Sequence, residues 1–203
     1  PQEVIDQLVN LYNQGQFAVV ADQAEVLTKQ YPTAILIWNT LGASRSKLGM
    51  FDEAIEAYKK TISLKPDYVE AYNNMGLALR DQGKLDEAID TFKKAILIYP
   101  NYAESYNNMG VVLKDQGKFI EAIDAYKKSI SLKPNYAAAY SNIGVSLKKL
   151  GKLKEALEAH KKSISINPDY FKGYYNIGNL LQDQLKLDEA IEYFSKTISL
   201  KPD

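Results

Sequence analysis

The sequence predicts an all-α protein built from six repeated pairs of short helices. Similar residues recur along the whole chain with a period of about 34 residues. Within one period, apolar residues follow each other at intervals of three and four, the spacing that places side chains on one face of a helix. A glycine interrupts each of the first five periods and a proline closes every period, which separates two helices and ends the second. These observations predict twelve antiparallel helices and no strand.

One helix pair is easiest to see between Tyr72 and Pro100. Tyr72, Gly76 and Leu79 share one face of a first helix. Gly83 tolerates the backbone angles of a helix end, and Pro100 forbids continuation of the second helix. The apolar face of that second helix carries Ala88, Phe92, Ala95 and Ile96. Neither helix can bury its apolar face alone, so neighbouring pairs must cover it.

The same pattern divides the chain into one continuous array of repeats without an inserted linker. The repeats are 1–34, 35–68, 69–102, 103–136, 137–170 and 171–203. The first repeat departs from the pattern, because Leu8 replaces the helix glycine and Val20 replaces the alanine. Terminal repeats of such arrays are atypical because one of their sides has no neighbouring repeat.

The second repeat carries the motif that identifies the array. It reads Trp38-x-x-Leu41-Gly42, followed by Ala54-x-x-x-Tyr58 and Pro66. This pattern resembles the tetratricopeptide repeat family and extends over essentially the whole chain. The resemblance implies an α-solenoid in a right-handed superhelix, with the first helix of each repeat lining a concave surface. It also implies a scaffold that binds a protein or an extended peptide.

Composition narrows the function classes. Lysine plus arginine equals aspartate plus glutamate, 25 each, which argues against a nucleic-acid partner because phosphates need a basic face. The absence of cysteine excludes disulfides and thiolate metal sites and fits a reducing compartment, so we expect a cytoplasmic protein. No segment approaches the roughly 20 apolar residues of a membrane span. We expect no cofactor and no catalytic or metal-binding residue.

The exposed face of the first helices supplies the candidate site. Its residues are spaced three or four apart, so they lie together beside the packing residues. The candidate peptide-binding residues are Asn39, Asn73, Asn74, Asn107, Asn108, Asn142, Asn176, Leu77, Arg80, Val111, Lys114, Val145 and Lys148. We call this set the first-helix stripe.

One asparagine recurs in each of four successive repeats, and together they form what we call the asparagine ladder: Asn74, Asn108, Asn142 and Asn176. An amide both donates and accepts, so such a row can pair with the backbone of an extended peptide. The ladder resembles that of the superhelical repeats of O-linked N-acetylglucosamine transferases, where it binds peptide backbone. The alternative is that these asparagines cap turns or survive from repeat duplication.

Another recognition motif of the family is missing. The clamp that binds the acidic tail of chaperones needs a lysine one residue before the ladder position. That position holds Asn39, Asn73, Asn107, Ser141 and Tyr175. The sequence therefore argues against a chaperone tail as partner.

Two further roles remain open beside the scaffold. The chain begins at Pro1 and stops at Asp203, where a further repeat would begin, so we expect a piece of a longer protein. It could then be the targeting arm of a glycosyltransferase or sulfotransferase whose catalytic domain lies outside this sequence. The other role is self-assembly, because the last helix, 188–200, carries Ile191, Phe194 and Ile198 and no polar helix caps it.

Several local features carry expectations of their own. Asp67, Asn101, Asn135 and Asp169 precede first helices and are predicted as their N-caps. Gly76 is expected to allow close approach to the small face around Ala88. His160 occupies the aromatic position of the second helix and is expected to be a core or half-exposed residue rather than a metal-binding or catalytic one. Leu185 replaces a turn glycine, so the last turn is expected to be strained or reshaped.

Overall fold

The computed structural model describes residues 2–201, and within that range every regular element is an α-helix. This confirms the predicted all-α class and the two helices per repeat. The helices are α1 (Gln2–Asn13), α2 (Phe17–Gln30), α3 (Ile35–Lys47), α4 (Phe51–Leu64), α5 (Val69–Asp81), α6 (Leu85–Ile98), α7 (Ala103–Asp115), α8 (Phe119–Leu132), α9 (Ala137–Lys149), α10 (Leu153–Ile166), α11 (Phe171–Asp183) and α12 (Leu187–Leu200).

The helices form two compact units, one ending at Pro100 and the other beginning at Asn101. In the first unit each odd-numbered helix packs on the helix that follows it, and α2 and α4 also pack on the next repeat, through α3 and α5. The second unit repeats this arrangement from α7 to α12. First helices also touch each other, α1 with α3 and α3 with α5, and likewise α7 with α9 and α9 with α11. The packing is that of an α-solenoid, as predicted.

Each helix pair turns at a residue in the left-handed region of backbone conformation. At Gly83 φ is 85°, its N–H donates to Arg80 C=O at 2.8 Å, and Lys84 N–H donates to Leu79 C=O at 2.9 Å. These two bonds satisfy carbonyls at the end of α5 that have no partner within the helix. The predicted turn glycines at 15, 49, 117 and 151 also have positive φ. Leu185 takes the same conformation at φ 60°, which confirms the expected strain.

The glycine inside each first helix faces an aromatic ring, and the expected partner was wrong. A β-carbon on Gly76 would lie 2.8 Å from Cε1 of Phe92, with no contact to Ala88 among its nearest atoms. The pairing recurs in the other repeats: Gly42 with Tyr58, Gly110 with Tyr126, Gly144 with His160 and Gly178 with Phe194. The missing side chain makes room for a ring rather than for a close approach of two small faces.

The predicted N-caps were also wrong. The residues at the cap positions are Tyr68, Tyr102, Tyr136 and Tyr170, and no side chain of theirs bonds to the helix end. Asp67 lies one residue too early, within a turn that Tyr68 N–H closes on Lys65 C=O at 3.1 Å. Because of that turn, α5 begins at Val69, and the residue directly before it, at the cap position, is Tyr68 rather than Asp67.

His160 lies in the core, as expected. Its side chain is 1% exposed, and neither ring nitrogen has a hydrogen-bond partner among the described residues. Burial, helped by the charge of Lys148, lowers its pKa to about 4. The ring is therefore neutral at pH 7 and serves as packing against Gly144.

Candidate functional site

The first-helix stripe lies on α3, α5, α7, α9 and α11, as the sequence predicted. The ladder asparagines are half-buried, and so are the apolar and basic members of the stripe. Asn73 and Asn107 differ, because each is only 6% exposed. The stripe therefore has an accessible row of side chains and, one residue earlier, a buried row beneath it.

In the second unit the ladder asparagines are held in place by the preceding repeat. Asn142 donates from Nδ2 to Oδ1 of Asn107 at 3.1 Å, and Asn176 donates from Nδ2 to Oγ of Ser141 at 3.0 Å. Each bond joins successive first helices and fixes which end of the amide points inward. Within residues 101–201, the Oδ1 atoms of Asn142 and Asn176 accept no intramolecular hydrogen bond. These two acceptors belong to residues that lie one repeat apart along the chain.

In the first unit the corresponding inward acceptor is unused. Oδ1 of Asn39 is buried without a hydrogen-bond partner in the described part of the chain. Asn74, on the following repeat, lines a cavity of about 300 Å³ together with Leu77 and Arg80. The predicted residues Asn74, Leu77 and Arg80 thus come together in one concave place.

Sequence reasoning missed most of that cavity. Tyr12, Ala43, Ser46 and Lys47 also line it, and the predicted site includes none of them. A signal was present, because Ala43 and Ser46 are small where the third to fifth repeats carry larger side chains in the stripe. Reading departures from the repeat, as well as its regularities, would have pointed to this place.

The basic members of the stripe are paired with carboxylates. Arg80 donates from Nε to Oδ1 of Asp81 at 2.8 Å, and Lys114 pairs with Asp115 in the same way. Lys148 reaches across to the next repeat, with Nζ 2.6 Å from Oδ2 of Asp183. This rim of charged residues is therefore mixed in sign.

The stripe brings together several kinds of chemical group. It offers amide acceptors, an apolar strip of Leu77, Val111 and Val145, and charges already partnered by neighbours. Over residues 2–201 no group of histidine, cysteine, aspartate or glutamate is arranged to hold a metal ion. Over the same residues, no helix combines the length and the apolar character that crossing a membrane requires.

Family comparison agrees with the helix pairs. Models of the tetratricopeptide repeat match residues 67–135, 137–170 and 171–203, and a model of the TPR repeat matches residues 42–79. This chain belongs to the tetratricopeptide repeat family. The matches at 137–170 and 171–203 coincide with the last two repeats.

Among solved structures, the crystal structure of MamA is 33% identical to this chain, covers 80% of it and 95% of MamA, and superposes with a TM-score of 0.67. PilW, a type IV pilus biogenesis factor, superposes with a TM-score of 0.84 over 98% of this chain and 93% of its own. At 24% identity, PilW demonstrates a shared fold only.

A curated relative is the peroxisomal targeting signal receptor of Kluyveromyces lactis. It is 37% identical over 60 residues, which are 30% of this chain and 11% of the receptor. The matched region thus spans about a tenth of that relative's length.

Proposed function

We propose that this tetratricopeptide chain is a scaffold that binds an extended polypeptide along its first-helix stripe. The observation that carries the proposal is the orientation of Asn142 and Asn176. Each donates an amide N–H to the preceding repeat, and this leaves its oxygen available as an acceptor. A row of fixed acceptors suits the backbone N–H groups of an extended chain, which are present whatever the side chains are.

The rest of the stripe fits the same occupant. Half-buried Leu77, Val111 and Val145 give a peptide apolar surface to cover. Each neutral hydrogen bond contributes about 0.5–1.5 kcal/mol net, so several ladder bonds together give a useful affinity. In this proposal Asn39, Asn73 and Asn107 lie beneath the binding surface and support it.

The relatives give this proposal independent support. The Kluyveromyces lactis protein is named as a receptor for a targeting signal, and it shares tetratricopeptide sequence with this chain. A receptor of that kind acts by binding another polypeptide. The role of targeting arm for an enzyme stays a prediction, because it concerns residues outside this sequence.

The test compares ladder variants on an array of immobilised peptides of random sequence. We expect the combined substitution Asn74→Ala, Asn108→Ala, Asn142→Ala and Asn176→Ala to weaken binding at most positions of the array. The loss is expected regardless of peptide sequence, because the lost bonds are to backbone.

A matched control separates peptide contact from repeat packing. The pair Asn107→Ala and Ser141→Ala removes the inward acceptors of Asn142 and Asn176 but keeps their own side-chain oxygens. Both variants lose the hydrogen bonds between repeats, and thermal melts measure the resulting loss of stability in each. If the control weakens array binding as much as the ladder variant does, the asparagines serve packing and the proposal fails.

A second candidate function, self-association, rests on one observation in α12. Ile191 is 61% exposed, whereas the residues at the same repeat position, Ile55 and Ile123, are 6% and 8% exposed. We propose that α12 of a second copy covers Ile191 in an antiparallel pair. Antiparallel pairing brings Glu192 of one copy towards Lys196 of the other, which complements their charges.

Sedimentation velocity over a range of concentrations tests this pairing. We expect a dimer that Ile191→Lys abolishes, because a charge would be buried in the apolar contact. Ile120→Lys is the matched control, since Ile120 is similarly exposed at 68% but lies on α8. A monomer at every concentration of the unmodified chain rules out this function.

A further inference from the structure

The cavity on the first unit is built by α1, α3 and α5 with one ring from α4. Its volume is about 300 Å³, at the lower end for sites that hold small ligands. Its lining includes Tyr12, Leu77 and Arg80. We call the part of the lining around Tyr58, which has only 2% of its surface exposed, the base of the cavity. It is a concavity of the same first-helix surface to which the ladder belongs.

Two small residues create this cavity. Ala43 stands where the third to fifth repeats carry Leu77, Val111 and Val145. Ser46 stands where those repeats carry Arg80, Lys114 and Lys148. The space is thus specific to the second repeat and is not a general property of the fold.

Aromatic rings and hydroxyl groups converge at the base. The hydroxyl of Tyr58 lies 3.5 Å from Oγ of Ser46. Burial raises the pKa of Tyr58 to about 12 and raises the pKa of Tyr12 above its ordinary value. Both phenols are neutral at pH 7, so the base and the side of the lining formed by Tyr12 are uncharged and aromatic, and the base can share a hydrogen bond.

The charges lie around the cavity rather than at its base. Arg80 and Lys47 are cationic, and Asp81 accepts hydrogen bonds from the Arg80 guanidinium at 2.8 and 2.5 Å. Lys47 adds a further positive charge, so the balance of these three groups is cationic. A cation next to an apolar, aromatic concavity favours a guest with an electron-rich face.

We propose that this cavity is a subsite that receives one aromatic side chain of the bound polypeptide. A ring can pack edge-to-face or offset against Tyr12 and Tyr58. Its face can also meet the cationic group of Arg80 or Lys47. Asn74 lies on the same lining, where it can hold the backbone that carries the ring. The inference rests on the proposed function and adds that the bound polypeptide carries an aromatic side chain at the position that faces this cavity.

Other side chains fit this lining less well. An aliphatic guest would bury apolar surface but gain nothing from the cations or the ring edges. A carboxylate guest would meet Lys47 but would also face Asp81 and leave Leu77 without an apolar partner. The lining therefore predicts a preference for aromatic guests over both of these.

The test uses three simple probes: the acetylated amides of tryptophan, leucine and glutamate. Titration of the isotope-labelled protein, followed by amide chemical shifts in NMR, locates each probe and gives its affinity. We expect the tryptophan probe to shift the amides of Ala43, Ser46 and Leu77 and to bind at least several-fold tighter than the leucine probe. The glutamate probe is expected to bind most weakly.

Ala43→Val fills the cavity with a side chain that the fourth and fifth repeats already carry at this position. We expect it to lower the affinity for the tryptophan probe about tenfold or more without unfolding the protein. Ala18→Val, on the exposed surface of α2, makes the same chemical change elsewhere and is expected to have no effect.

The outcomes separate this subsite from the peptide-binding function. A tryptophan probe that binds no tighter than leucine, or that binds the Ala43→Val variant equally well, overturns the subsite. The ladder proposal is tested by the peptide array and does not depend on that result. If the ladder variant binds the peptide array as well as the unmodified protein does, but the tryptophan probe still binds the cavity, the cavity binds aromatic groups and the proposed peptide-binding function is wrong.

Discussion

Single residues of this chain are constrained by what faces them in their own repeat. Each second helix from α4 onward carries one aromatic ring that faces a glycine of the preceding helix. This ring is a phenol or phenyl group in four of the helices and the imidazole of His160 in α10. His160 fits that space, but its two ring nitrogens have no hydrogen-bond partner among residues 2–201. A buried polar atom without a partner costs about 1–3 kcal/mol, so this residue weakens the fifth repeat.

We expect His160→Phe to stabilise the protein by about 1 kcal/mol or more at pH 7, because it removes unsatisfied polar atoms. Phenylalanine already fills the equivalent space at Phe92 and Phe194, so steric clash is not expected. Urea unfolding at equilibrium measures the change. A loss of stability would mean that the imidazole makes a favourable contact that a phenyl ring cannot replace.

The same residue makes stability depend on pH. Its pKa falls from 6.5 to about 4 on folding, so the unfolded chain binds the extra proton between these values. Stability is therefore expected to fall as the pH drops from about 6.5 to about 4, by about 3 kcal/mol from this group. Because the chain has a single histidine, His160→Phe isolates the effect. Parallel stability curves of the two proteins in this window would contradict the assignment.

Leu185 is the other residue in an unfavourable position. It adopts φ 60° with 83% of its surface exposed, so it bears backbone strain and gains little from burial. We expect Leu185→Gly to stabilise the protein by about 1 kcal/mol. The reverse change, Gly151→Leu, is expected to destabilise it by a similar amount. Thermal melts of both variants test this, and shifts in the same direction would count against strain at Leu185.

At the scale of helices, the sequence predicted what the repeat period controls. The period and the turn glycines determined the number of helices and their approximate ends. The N-caps were missed because a residue type such as Asp67 shows a capacity to cap but not the residue at which the helix begins. The partner of Gly76 was missed because both Ala88 and Phe92 lie on the facing helix, and spacing alone does not choose between them.

For the candidate site, too, the sequence predicted what lies within one helix but not what depends on two helices. The face of the first helices and the ladder positions follow from spacing within one helix. The bond from Asn142 to Asn107 joins two helices, and its existence depends on how far one repeat rotates relative to the next. The cavity beside Ala43 depends on the absence of side-chain atoms, which a search for conserved chemistry within each repeat does not reveal.

Packing between helices of one pair is testable through Gly76 and Phe92. Phe92→Ala is expected to cost about 3–5 kcal/mol, because the ring is fully buried. Lys94→Ala, on the exposed side of α6, is expected to stay within about 0.5 kcal/mol. Gly76→Ala is expected to destabilise the unmodified protein, since the new methyl would meet the ring at 2.8 Å.

In the Phe92→Ala background the sign should reverse. The ring is gone, so Gly76→Ala gains the helix propensity of alanine, about 1 kcal/mol. A double-mutant cycle in urea measures this coupling. Additive effects of the two changes would show that the contact between them carries little energy.

For the molecule as a whole, charge is balanced both in number and in place. The chain has equal numbers of acidic and basic residues, and the basic residues of the stripe pair with Asp81, Asp115 and Asp183. A polypeptide that binds this stripe therefore meets paired charges along it, with Lys47 beside the cavity as an additional cation. Such binding differs from recognition of polyanions, which depends on release of counterions.

We expect the affinity for a peptide selected from the array to change less than about threefold between low salt and about 0.5 M salt. Charges separated by more than about 10 Å are already screened at 0.1 M, and the rim charges are neutralised locally. Fluorescence anisotropy of the labelled peptide measures the affinity at each concentration. A steep loss of binding with salt would show that unpaired charges dominate the contact.

The pairing of each helix glycine with a ring also affects how such a gene can change in length. Both members of the pair lie in the same repeat, as with Gly110 and Tyr126. Unequal recombination between two repeats of the gene removes or adds one period. If the crossover falls between the codon for the glycine and the codon for the ring residue, the glycine of one repeat is joined to the ring of another. Because the glycine is the same in each pair and the rings differ little in size, the new pair still fits. Among the repeats that carry this pair, the contact between glycine and ring therefore needs no compensating mutation when a repeat is gained or lost.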